Sequence, residues 1–137
     1  MVKFSRMRVL IKHTVNLQWR KEREMARATK STATITGMPR ATDNHSKTED
    51  GAIRISEVQD AYREVISELE AMRSELNPLL NSLDNPDHLA AMRLRYIKGY
   101  SPEDIAEANS KTPRSIYYYL SQAENKLARM YPEKVSK

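Results

Sequence analysis

The sequence predicts an all-α protein, a long helical, coiled-coil-like segment followed by a C-terminal pair of closely linked helices. Three observations predict it. Apolar residues recur at alternating spacings of three and four from Ile55 to Leu83. Ser101-Pro102 and Thr112-Pro113 each set a capping hydroxyl directly before a proline, the signature of a helix start. Ile116, Leu120, Ala123, Leu127 and Met130 then form one apolar helical stripe.

In chain order, residues 1–30 carry nine Lys or Arg against two acids, a net +7. They read as a basic N-terminal helix or arm. A helix is expected over about residues 15–29, an earlier start being open, with disorder before it. Leu17, Met25 and Ala28 lie on one side of that helix, with Arg20, Lys21, Arg23 and Arg27 mostly elsewhere. Trp19, the only tryptophan, is read as a contact with the rest of the protein. Residues 31–51 are rich in Ser, Thr, Asn, Asp and Gly, are broken at Gly37-Met38-Pro39, and read as a linker.

Residues 52–84 form the long acidic helix; residues 31–85 together carry a net −5. Its seam is Ile55, Val58, Tyr62, Val65, Leu69, Met72, Leu76, Leu79 and Leu83. Such a seam needs another helix: the N-terminal one, the C-terminal pair, or a second copy, which would make a dimer. The opposite charges of the two segments allow them to pair, or leave the N-terminus to wrap a phosphate backbone. Ser56 and Gln59 fit a capping box, with Asp50 and Gly51 as an earlier entry, and Pro78 implies a kink or a restart capped by Asn77. Met7, Met25, Met72, Met92 and Met130 are read as core or rim residues.

Residues 86–131 carry the most specific pattern. A helical run over residues 86–98 ends at Gly99, read as a left-handed cap. A helix over residues 102–109 follows, and a second helix starts at Pro113, so the two are separated by a short turn, the spacing of a helix-turn-helix. The stripe of the second helix is expected to pack on Ile105, Ala106, Leu94 and Ile97. Its opposite face presents Arg114, Tyr117, Tyr118, Ser121 and Gln122, with Lys111, Thr112 and Pro113 at its start. These eight are the candidate DNA-binding residues: Arg offers a bidentate fork to guanine, and Tyr a methyl contact or a phosphate hydrogen bond. Tyr119 lies nearer the stripe and is read as core rim.

The order RYIKGYS, EDIAEA and TPRSIYYYLSQAENKL resembles the fourth region of bacterial sigma factors, over about thirty-five residues. The resemblance implies DNA-facing roles for Pro113, Arg114, Tyr117, Tyr118 and Ser121, and packing roles for Ile105, Ala106, Ile116, Leu120 and Leu127. The chain departs from that pattern at the turn. Asn109, Ser110 and Lys111 stand where a leucine, a glycine and a small aliphatic are usual, so a looser or differently closed turn is expected. The wider arrangement, a basic helix, a linker with TGMPR, an acidic helix and RYIKGYSPEDIAE, is similar to small phage and prophage proteins of Gram-positive bacteria related to the ArpU-type and RinA-type transcriptional regulators. That resemblance implies a regulator of late phage genes, with RNA polymerase as a further partner.

The 137 residues suit one domain with an extension, and a net charge of +5 with a pI of about 9.5 fits an acidic partner. The absence of cysteine excludes disulfides and thiolate metal sites, and no export signal or membrane span is evident, so a cytoplasmic location is expected. No enzyme activity, metal or cofactor is expected. His13, His45 and His88 are scattered, and the Glu103-Asp104 pair suits a helix start better than acid-base work. The expected function is a sequence-specific, double-stranded-DNA-binding transcription regulator, dimeric on a pseudo-palindromic site. The alternative is a helical protein-interaction component or a DNA-packaging component like a small terminase subunit.

Overall fold

A computed structural model describes the backbone of residues 1–33 and 41–137 and the side chains of residues 1–27 and 53–137. The described chain is almost entirely helical: α1 (Phe4–Ala33), α2 (Ala41–Leu80), α3 (Pro86–Met92), a π-helical turn (Arg93–Ile97), α4 (Pro102–Ala108) and α5 (Pro113–Met130). Two short strands, β1 (Val2–Lys3) and β2 (Val135–Ser136), pair in parallel with Val2 opposite Val135. Among the described residues no helix is long and apolar enough to cross a membrane. The chain divides into two compact units, Met1–Ile11 with Glu68–Lys137, and Lys12–Ser67.

The first unit corrects the reading of the N-terminus. Residues 1–11 are part of a core, with Val2, Phe4, Met7, Leu10 and Ile11 all buried. Phe4, Met7, Leu10 and Ile11 sit at helical spacing, so the apolar residues enter the core while Arg6 between them is exposed and Arg8 is half-buried. Arg6 turns its guanidinium fork onto Glu68, Nε to Oε1 at 2.9 Å and Nη2 to Oε2 at 3.0 Å. The pair holds the Arg6 pKa above and the Glu68 pKa below their ordinary values. The strand pair adds backbone bonds from Val2 N–H to Lys134 O (2.8 Å) and from Ser5 N–H to Lys137 O (3.0 Å).

The C-terminal end of α2 supplies Leu69, Met72, Leu76 and Leu80 to this core, with Leu83 beyond it. The expected seam runs through Leu79, but Leu79 is half-buried and Leu80 takes the core position. Asn77 caps no restart. The helix runs through Pro78, which stands exposed two residues before its end, so the backbone bond that its missing N–H forgoes is lost only from the last turn.

Three prolines at first helical positions, each after a capping side chain, define α3, α4 and α5. The side-chain oxygens of Asn85, Ser101 and Thr112 accept from the backbone N–H groups of Asp87, Asp104 and Ser115 respectively. The core-facing residues are Ala91 and Met92 at the end of α3 and Tyr96 in the π turn; Leu94 and Ile97, expected there, are only half-buried. Tyr96 packs its ring on Phe4 at 5.0 Å, so an aromatic with a polar tip takes the place expected of aliphatic residues. In the π turn Lys98 N–H bonds Arg93 O (3.0 Å), and the carbonyl of Tyr96 accepts from Arg73 Nε at 2.7 Å. Gly99 closes the segment at φ +82°, as its cap reading requires.

The Tyr96 hydroxyl donates to Glu124 on α5, and Arg8 of α1 reaches both the hydroxyl (3.0 Å) and the Glu124 carboxylate (3.1 Å). Burial first, and the Glu124 carboxylate second, push the Tyr96 phenol well above its ordinary pKa, against the opposing Arg8 charge. The hydroxyl therefore remains a donor and ties α5 to the π turn. On α5, Ile116, Leu120, Ala123 and Leu127 are buried, whereas Met130, expected to extend the stripe, is 46% exposed. The helix ends there, and Tyr131 turns to place its hydroxyl 2.5 Å from Ser82 Oγ.

In the second unit Leu17, Val58 and Val65 are buried, and Gln18 Nε2 donates to the Tyr62 hydroxyl at 3.3 Å. Of the seam residues in this unit, Val58 and Val65 are thus buried within the chain, while Ile55 and Tyr62 are half-buried. Trp19 is 66% exposed, contrary to its reading as a packing contact. The expected linker is shorter than residues 31–51, since α1 reaches Ala33 and α2 begins at Ala41; no helix starts at Ser56. The Gly37-Met38-Pro39 break lies outside the described residues.

Candidate nucleic-acid interface

The connection from α4 to α5 is four residues, 109–112. Its polar composition does not loosen it. Lys111 N–H bonds Ala106 O (2.8 Å) and Ser110 N–H bonds Glu107 O (3.3 Å), the paired bonds of a Schellman closure. Ser110 sits at φ +54°, the position usually given to glycine, and the Asn109 side chain donates to Ile105 O at 2.8 Å. We expect Ser110→Gly to raise stability by about 0.5–1 kcal/mol, since it removes the Cβ strain of a left-handed residue. Ser110→Ala should gain nothing, and a thermal melt of both variants checks the pair.

The closed turn fixes α5, which packs on α3 and α4 through its buried stripe. All eight candidate residues lie on the other side or at its start: Lys111, Thr112, Pro113, Arg114, Tyr117, Tyr118, Ser121 and Gln122 are exposed. They differ in what else they do. Thr112 Oγ1 is committed to the helix cap, accepting from Ser115 N–H at 3.2 Å. Lys111 Nζ lies 4.9 Å over the Tyr119 ring, donates to its hydroxyl at 3.1 Å and stands 3.7 Å from Asp87. The Tyr119 hydroxyl chiefly, then Asp87, hold the Lys111 pKa above its ordinary value. Tyr119 is half-buried beside His88.

Tyr117 donates its hydroxyl to Glu103 Oε1 at 2.8 Å. Glu103 stands in the first turn of α4; its own backbone N–H, then the Tyr117 hydroxyl, lower its pKa, while the carboxylate raises that of Tyr117. The helix dipole accounts for a carboxylate at this position, but the orienting bond to Tyr117 is a second role that sequence spacing does not signal. Among the described residues the side chains of Arg114, Ser121 and Gln122 make no hydrogen bond or ion pair, and the Tyr118 ring meets that of Tyr119. Residues 114 to 121 span about 10 Å of helix, within the roughly 12 Å width of a DNA major groove.

Comparisons with family models, with curated proteins and with solved structures find no match to this chain.

Proposed function

We propose that the chain is a sequence-specific, double-stranded-DNA-binding transcription regulator of the phage type its sequence resembles, and that its α4-turn-α5 segment acts as a helix-turn-helix. The first two turns of α5, from Pro113, enter the major groove. The observation that carries this reading is the uncommitted Arg114 fork, exposed beside Tyr118, Ser121 and Gln122 on the side of α5 opposite its buried stripe. Base edges are read by side chains at the start of such a helix, and an arginine without an internal partner breaks no contact within the protein when it pairs with guanine. Tyr117, aimed by Glu103, borders the same strip.

The test is selection of bound duplexes from a random pool by the purified chain, beside an Arg114→Ala, Tyr118→Ala variant. An enriched motif that the variant loses is the expected result. Binding to that motif should weaken steeply with salt, because phosphate contacts release counterions. Failure of the folded wild-type chain to enrich any duplex overturns the proposal.

A further inference from the structure

The second unit carries a surface that duplex reading by α5 does not use. Lys12, Asn16, Trp19, Arg20, Arg23 and Arg27 recur along α1 at helical spacing and form one outward stripe about 22 Å long. All six are exposed, and Trp19 is the most exposed large apolar side chain among the described residues, with Val15 exposed one turn before it. Among the described residues, the positive charge of this stripe meets an internal acid only at Arg27. Among the described residues Lys12, Arg20 and Arg23 have no ion pair, and Arg27 meets only Glu24 of its own helix, at 3.6 Å. In the same unit Asp60 of α2 pairs with Arg63 of its own helix.

A flat indole in water amid unpaired guanidinium groups fits a ligand with both phosphates and open ring faces. An acidic protein surface would satisfy the arginines and leave the indole without a stacking partner, and a duplex buries its base faces. We infer that this stripe of α1 binds single-stranded nucleic acid without sequence preference, the arginines holding phosphates and Trp19 stacking on a base. The inference stands independently of the reading of α5.

Trp19 is the only tryptophan, so its emission reports this surface alone. The experiment titrates the full chain with an unstructured oligothymidylate at low salt, and with a duplex of equal length. Saturable quenching by the single strand, weaker quenching by the duplex, and at least a tenfold loss of affinity in an Arg20→Ala, Arg23→Ala variant are expected. Both arginines are exposed, and circular dichroism checks that the variant keeps its helices. Arg114→Ala should leave the quenching intact, so loss of duplex selectivity and loss of this site are distinguishable. Unchanged emission, equal quenching by duplex, or wild-type affinity in the double-arginine variant overturns the inference.

Discussion

Phe4→Ala is expected to destabilise the first unit by about 3–5 kcal/mol, the range for removing a buried aromatic ring. Phe4 is fully buried, with its ring 5.0 Å from that of Tyr96, and Tyr96 in turn holds Glu124 of α5. The cavity left behind would therefore open against the support of α5 itself. Val9→Ala, at a position 57% exposed on the same helix, should change stability by no more than about 0.5 kcal/mol. Urea unfolding of the two variants beside the wild type measures both. Equal, near-zero effects would mean that the N-terminal residues behave as an unattached arm and that the core closes without them.

Arg114→Ala should cost about 1–3 kcal/mol in binding to the selected duplex and little in binding to a scrambled one, because a bidentate base contact is lost and no phosphate contact. Its folding stability should stay within about 0.5 kcal/mol of wild type, since the side chain is exposed and makes no internal bond among the described residues. Lys111→Ala serves as the contrast. Lys111 braces Tyr119 and Asp87, so any phosphate contact it makes is mixed with a structural role, and its loss should weaken all duplexes alike. Fluorescence anisotropy with labelled duplexes separates the two. Wild-type discrimination in Arg114→Ala would remove α5 as the reading helix.

The local features of the C-terminal half were legible because their causes are local. A proline after Ser101 or Thr112 specifies a helix start within one turn, and the cap bonds follow from that spacing. Gly99 likewise marks its own left-handed φ. Ser110 was harder to read: nothing in the residue type announces a left-handed conformation, and the bonds of Ser110 and Lys111 back into α4 impose it. The dipole role of Glu103 follows from its place in the first turn of α4, yet its bond to Tyr117 joins residues fourteen apart across two helices.

By itself the sequence determined the helical class, the capped starts at Ser101 and Thr112, and the stripe that α5 buries through Ile116, Leu120, Ala123 and Leu127. Tertiary structure alone decided that Phe4 belongs to the core, that Tyr96 and not Leu94 faces inward, that Leu80 replaces Leu79, and that Trp19 stays in water. The physical reason is the range of the forces involved. Caps and helical periodicity act within a turn or two of chain, whereas burial depends on which distant segments supply the opposing surface, and for residues 1–11 that surface comes from residues 68–137.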